Sequence, residues 1–111
     1  MAGGSGATQR LVSNFEVVLA PEAESDITDA LVWYRKRSVL AADGFRVEVF
    51  HAIDRIGEAP LRWPINEFGN RKFVLRRFPF SVVYDVEGKT VTILAIAHHR
   101  RRPDYWRASE L

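Results

Sequence analysis

The sequence has no cysteine and no long apolar run, and both absences narrow what the chain can be. Without cysteine there is no disulfide framework, no thiolate nucleophile and no zinc or iron–sulfur site with Cys ligands. The longest uncharged apolar stretch, residues 91–97, is far shorter than the roughly 20 residues of a transmembrane helix. The opening MAGGSGATQ lacks the apolar segment of a secretory signal. We therefore expect a cytoplasmic protein without membrane contact.

What is present suits one small globular domain. The chain has 111 residues, of which 47% are hydrophobic and 27% charged, enough to bury a single core. Residues 1–13 are rich in Gly, Ser and Ala and offer almost nothing to bury. We predict a flexible N-terminal tail at 1–13 and a single domain over 14–111.

The net charge of +2 conceals an uneven distribution. Residues 1–70 carry seven Lys/Arg and ten Asp/Glu, a balance of −3, whereas residues 71–111 carry nine and four, a balance of +5. A basic region of this kind attracts phosphates or an acidic protein partner. It is also typical of a solvated strand edge, and charge alone leaves both interpretations open.

Hydrophobic periodicity predicts an α+β fold with the order β-α-α-β-β-β. Pro21 opens the first predicted helix, acidic residues fill its first turns, and Gly57 ends the second helix. The predicted elements are a strand at 15–19, a helix at 21–38, a second helix ending at 57, a loop at 60–71, and strands at 72–76, 80–86 and 90–98. We expect an antiparallel sheet covered on one face by the helical hairpin. The other face should be partly open and carry basic residues.

The densest group of chemically active residues follows the last strand, from His98 to Tyr105. Imidazoles exchange protons near neutral pH, and guanidinium groups bind phosphate through paired hydrogen bonds. Such a set suits RNA phosphodiester chemistry, and it equally suits a basic chain end whose Trp106 packs on the sheet. Because His98 and His99 are adjacent, they should point to opposite sheet faces and not share a metal. We predict no metal site and no cofactor.

A second basic cluster, Arg-Arg-Phe-Pro-Phe at residues 76–80, precedes the middle strand of the meander. Strand pairing could bring it beside His98, which would merge the two clusters into one patch. The alternative is an exposed turn with scattered charge. The carboxylates of the first helix are interpreted as a solvated face.

Three motifs together resemble the RelE/ParE toxin superfamily of bacterial toxin–antitoxin modules. They are Pro-Glu-Ala-Glu at the start of the first helix, the Arg-Arg-Phe-Pro-Phe turn, and the ending Ala-His-x-Arg-Arg-x-Pro-x-Tyr-Trp. The resemblance covers about residues 15–107 and is strongest to the branch described as ParE-type or plasmid-stabilisation toxins. It implies neutralisation by a cognate antitoxin and one of two targets. RelE-like members cut mRNA in the ribosomal A site, whereas ParE-like members inhibit DNA gyrase.

The RelE catalytic pattern fits this chain only in part. Lys72 matches the first of two expected lysines, but Val74 stands at the second and Ser81 at an expected arginine. Tyr105 matches the final tyrosine, and His99 stands six residues before it where an arginine is expected. Because metal-free cleavage depends on cations to stabilise charge, the missing pair favours gyrase inhibition.

Two alternatives stay open beside the gyrase inhibitor. One is a ribosome-dependent mRNA interferase, and the other is a non-toxic member that only binds an antitoxin. The catalytic candidates for the interferase are His99, Tyr105, Lys72 and Arg76. The predicted partner-binding or nucleic-acid-binding residues are Arg76, Arg77, His98, Arg100, Arg101 and Arg102. A homodimer or a toxin–antitoxin hetero-oligomer is possible.

Overall fold

The computed structural model describes residues 14–100, in which two helices pack on a four-stranded sheet. In chain order the elements are β1 (Glu16–Leu19), α1 (Pro21–Arg35), α2 (Val39–Glu58), a 3₁₀ turn (Pro60–Arg62), β2 (Arg71–Val74), β3 (Phe80–Glu87) and β4 (Thr90–His98). The predicted order of elements is confirmed. The predicted N-terminal tail, 1–13, lies outside the described residues. No helix within residues 14–100 combines the length and the apolar character needed to cross a membrane.

The sheet has the strand order β1-β4-β3-β2. β2, β3 and β4 form the predicted antiparallel meander, but β1 pairs with β4 in parallel, so the sheet is mixed. Parallel neighbours need a long crossover connection, and here the two helices and two further strands lie between them. The β3–β4 hairpin turns at Gly88, whose φ of 61° is a conformation that only glycine adopts without strain.

The junction of the two helices differs from the prediction, which extended the first helix to Ser38. α1 ends at Arg35, and Ser38 instead caps the N-terminus of α2. Its backbone is extended, and its side-chain oxygen accepts a hydrogen bond from the N–H of Ala41 at 3.1 Å. Because an N-cap must leave helical geometry, the same serine cannot also end the preceding helix as one of its residues.

The core lies between the helical hairpin and one face of the sheet. Its largest fully buried side chains on this face are Tyr84, Phe45, Ile56, Ile93, Ile96, Val49, Val82 and Val91. The opposite face is less open than predicted, since Val83 and Ala95 are fully buried there in a second small cluster with Leu94 and Ala97. Of the basic residues, Lys72 lies on that face and is exposed.

Candidate functional site

The last part of β4 extends past the end of β1. The final β1–β4 pair joins Leu19 to Ile93, and β4 continues from there to His98. Beside this extension the Asp26 carboxylate of α1 accepts a hydrogen bond from the Ile96 backbone N–H at 2.9 Å. A helix side chain therefore bonds the strand where the neighbouring strand has ended.

A pocket of about 490 Å³ opens between α1 and this end of the sheet. Its lining residues are Asp26, Asp29, Ala30, Trp33, Tyr34, Pro79, Phe80, Ile96 and His98. The walls are aromatic and aliphatic, and two carboxylates lie along the α1 side. An apolar concavity with a few convergent polar groups is the usual form of a binding site.

Further aromatic rings pack against Tyr34, which forms part of the pocket wall. The ring of Tyr34 lies 5.4 Å from that of Phe45 and 5.3 Å from that of Phe78, both measured between centroids. Burial raises the pKa of Tyr34 above its ordinary value of 10.0, so its hydroxyl stays neutral at physiological pH. Trp33 is half exposed, and the Arg37 guanidinium stacks 3.7 Å from its ring centroid. These contacts give the pocket a preformed shape.

The two adjacent histidines lie on opposite sheet faces, as predicted. The ring of His98 meets Phe80 edge-on at 5.0 Å and lines the pocket on the helix side. Its Nδ1 accepts a hydrogen bond from the Arg100 backbone N–H at 3.0 Å. On the other side, His99 Nε2 lies 3.0 Å from Ser81 Oγ.

The Ser81–His99 pair brings together two of the positions compared with the RelE pattern. Ser81 is almost fully buried, which keeps its hydroxyl from attacking a substrate but lets it hold the His99 ring. Val74 pairs with Ser81 across β2 and β3, and Lys72 lies two residues away on the same face. The positions where the pattern expects a second lysine and an arginine thus carry an exposed valine and a buried serine.

The Arg76–Pro79 loop connects β2 to β3 and is held from two sides. On one side, Glu48 of α2 accepts hydrogen bonds from the backbone N–H groups of Arg76 and Arg77, and its other oxygen lies 3.2 Å from Arg77 Nε. On the other side, the C=O of Pro79 accepts the His99 N–H at 2.9 Å. The loop therefore lies beside β4 at its Pro79 end, while its arginines are anchored toward α2.

Glu48 is a carboxylate whose charge the fold stabilises. Partial burial acts to raise its pKa, but the two backbone N–H groups and the Arg77 guanidinium outweigh that effect and lower it below 4.5. The Arg77 side chain stays largely exposed despite this ion pair, so part of it can still meet a partner.

Several predicted residues fall outside the described part of the chain: Arg101, Arg102, Tyr105 and Trp106. Among the residues that are described, no group of three His, Asp or Glu lies close enough together to hold a metal ion. Of the catalytic candidates, the structure thus brings Lys72 and His99 to one sheet face and bonds the Arg76 backbone to α2.

Two acidic residues matter more than their sequence indicates. The prediction of a solvated face on the first helix is wrong for Asp26, because its carboxylate accepts a hydrogen bond from the backbone of β4. The sequence predicts no role for Glu48. Local sequence contains no signal for either contact, since their partners are 70 and 28–29 residues away along the chain. The aromatic pocket was missed for the same reason: its walls come from α1, the loop and two strands.

Comparison with known proteins identifies similar chains. The family described as "ParE toxin of type II toxin-antitoxin system, parDE" matches residues 17–103. Among solved structures, a chain of the chromosomal ParDE TA system from P. aeruginosa superposes with a TM-score of 0.68. The two chains are 20% identical, and the match covers 76% of this chain and 95% of the other, which establishes a shared fold. No curated protein matches.

Proposed function

Because the chain belongs to the ParE toxin family of type II toxin–antitoxin systems, we propose that it arrests growth by inhibiting DNA gyrase in the cytoplasm and that a cognate antitoxin neutralises it. The observation that carries the choice of gyrase is the state of the catalytic positions. Ser81 and Val74 stand where metal-free RNA cleavage would need cationic groups. Inhibition by binding requires a surface and no catalytic set.

Ser81, which stands at the position of an expected arginine, carries no charge. Its hydroxyl is buried against His99, and Arg76 is held toward α2 through its backbone N–H. The contacts of the described residues place Lys72 and His99 on this sheet face, where the RelE pattern expects further cations to stabilise the charge of a scissile phosphate. This supports a protein target over a phosphodiester substrate.

The pocket beside α1 supports the antitoxin part of the proposal. A partner segment that places an apolar side chain between Trp33 and Phe80 would bury aromatic surface, and a cationic tip could reach Asp26 or Asp29. Of the residues that the sequence predicts to bind a partner, His98 lines this pocket. Arg77, whose side chain is largely exposed, suits an acidic residue of the same partner.

The gyrase proposal is tested by a supercoiling assay with relaxed plasmid and gyrase from the toxin's own host. Purified toxin should block supercoiling, and addition of the antitoxin should restore it. Heat-denatured toxin is the control for non-specific inhibition. Uninhibited supercoiling at a large molar excess of folded toxin would overturn the proposal.

The antitoxin proposal is tested by replacing Trp33. Trp33→Ala should weaken antitoxin binding, measured by calorimetry, at least about tenfold, because a central buried tryptophan is a typical hot spot. Val32→Ala is the matched control, since Val32 is a similarly exposed neighbour on α1 that does not line the pocket. Equal losses for the two variants would contradict this placement.

One observation favours the mRNA interferase as a second candidate. The 3.0 Å contact between Ser81 Oγ and His99 Nε2 orients an imidazole on the same sheet face as Lys72. An oriented imidazole can act as a general base. If the interferase is the true activity, primer extension on translated mRNA will show cuts at A-site codons that disappear with His99→Ala. Toxicity that survives His99→Ala would reject it.

A further inference from the structure

The outward face of α2 carries an apolar stripe that no other described element covers. We name Val39, Leu40, Val47 and Phe50 the α2 stripe; all four side chains are exposed, from 44% for Phe50 to 83% for Leu40. The buried residues of α2 face the core from the opposite side of the same helix. Two opposed apolar faces on one helix are typical of a helix that packs on two partners.

The extent of the α2 stripe is notable for a small protein. The four side chains expose about 400 Å² of mostly apolar surface, in the range of patches that serve as interaction sites. With the polar residues around it, the stripe approaches the roughly 800 Å² per partner of a standard interface without reaching it. A partner seated here would therefore be held with modest affinity.

The charges along the α2 stripe match a second copy of the same helix. Asp43 and Arg46 lie within it and form an exposed ion pair at 3.5 Å. In an antiparallel pair of α2 helices related by a two-fold axis between residues 44 and 45, Asp43 faces Arg46 of the other copy. The same alignment places Val39 opposite Phe50. In a two-fold interface each contact occurs twice, so the charges form a network of four.

We propose that the α2 stripe is a self-association surface and that the free toxin forms a homodimer through antiparallel α2 helices. The overlap from Val39 to Phe50 spans twelve residues, or about 18 Å of helix. The apolar pairs supply the attraction, and the Asp43–Arg46 pairs set the direction and register of the two helices. Because the surface is smaller than a standard interface, we expect a weak dimer that dissociates on dilution. The proposal is independent of the identity of the toxin's target.

The first test measures the oligomeric state of the full-length toxin, freed of antitoxin, by sedimentation equilibrium over a range of concentrations. Wild-type toxin should show a monomer–dimer equilibrium. Val47→Glu should weaken it at least about tenfold, because it buries a carboxylate near Asp43 of the other copy. The matched control is Leu61→Glu, since Leu61 is as exposed as Val47 but lies on the 3₁₀ turn (60% against 61%). Circular dichroism confirms that each variant is folded.

The second test uses charge reversal, which identifies the register. Asp43→Arg and Arg46→Asp should each abolish the dimer, since like charges then face each other, whereas the double variant should restore it. An equimolar mixture of the two single variants should also dimerise, because each charge then meets its opposite. This mixing result has no explanation in a purely structural role of either residue.

Four results would overturn the proposal. Wild-type toxin that stays monomeric into the high micromolar range would do so, as would a dimer equally sensitive to Leu61→Glu and Val47→Glu. The third is a monomeric toxin whose Val47→Glu variant loses antitoxin or gyrase binding, which would assign the α2 stripe to that partner. A dimer unaffected by both charge reversals would reject the antiparallel register.

Discussion

Replacing Glu48 by glutamine tests how the Arg76–Pro79 loop is held. One carboxylate oxygen of Glu48 accepts two backbone N–H groups, from Arg76 and Arg77, and the other faces the Arg77 guanidinium at 3.2 Å. Its side chain is only 12% exposed, so water replaces little of this bonding. Glu48→Gln keeps the size and one acceptor oxygen but removes the charge.

The magnitude follows from the number and kind of bonds. A hydrogen bond to a charged acceptor contributes about 1.5–3 kcal/mol, but here two donors share one oxygen, which reduces the contribution of each. The Arg77 side chain is 68% exposed, and an ion pair with such an exposed partner contributes at most about 1 kcal/mol. We expect Glu48→Gln to lower the free energy of unfolding by about 1–2 kcal/mol at neutral pH, and Arg77→Ala by less than about 1 kcal/mol.

The pH dependence gives the sharper result. Because folding lowers the pKa of Glu48, its stabilising contribution is fully present above the ordinary value of 4.5 and is lost as the pH falls through the folded-state pKa. Glutamine does not titrate. The stabilities of wild type and Glu48→Gln should therefore converge as the solution is acidified below about pH 4.

Urea denaturation followed by circular dichroism, carried out from about pH 7 to about pH 2.5, measures this convergence. Arg77→Ala is the control, since it removes the exposed partner and leaves the backbone bonds in place. A difference between wild type and Glu48→Gln that stays constant across the range would refute the reasoning. So would an Arg77→Ala loss larger than that of Glu48→Gln.

Three further stability predictions concern other parts of the fold. Tyr84→Phe should cost about 1–2 kcal/mol, because it leaves the buried Pro60 C=O without the 2.6 Å hydrogen bond that the tyrosine hydroxyl donates. Burial raises the pKa of Tyr84 to about 12, partly offset by Arg71, so wild-type stability should fall as the pH rises above 10.0, and ultraviolet titration should show this tyrosine ionising late. Asp26→Ala should cost about 1–2 kcal/mol in thermal unfolding by removing an acceptor from β4. Gly88→Ala should cost about 1 kcal/mol because of the positive φ; an unchanged melting temperature would contradict this.

The two long strands of the meander, β3 and β4, were the most predictable strands, whereas β2 was predicted at 72–76 and is observed at Arg71–Val74. β4 was predicted with its observed bounds, since an apolar run between a glycine turn and a basic segment leaves little freedom. The turn between β3 and β4 falls at Gly88, where the backbone has a positive φ. These signals are short-range: period-two alternation and one turn residue decide them within a few positions.

What escaped prediction depends on contacts between distant parts of the chain. The parallel pairing of β1 with β4 follows from the path of the chain through the helical hairpin and the meander, which no local pattern encodes. The sequence around Ser38 is compatible with either helix. The hydrogen bond from the Ala41 N–H to its side-chain oxygen makes Ser38 the N-cap of α2. In the sequence, Asp26 and Glu48 look like any solvated carboxylate on a helix. Only their hydrogen bonds to distant parts of the chain distinguish them.

The sequence predicted which types of residue form the candidate site, but it predicted only part of their spatial arrangement. The opposite orientation of His98 and His99 followed from strand geometry. The two basic clusters meet at Pro79, whose C=O accepts the His99 N–H, whereas the backbone N–H groups of Arg76 and Arg77 bond Glu48 of α2. The pocket combines four elements and emerges only when they are folded together.

The most direct measurement of the central claim is a parallel titration of wild-type toxin, Ser81→Ala and His99→Ala against gyrase from the same host, with supercoiling as the readout. If the protein acts by binding gyrase and not by RNA cleavage, all three should inhibit with similar half-maximal concentrations, and none should cut translated mRNA. Wild-type toxin that leaves supercoiling untouched but cuts mRNA, with loss of cutting in His99→Ala, would contradict the account.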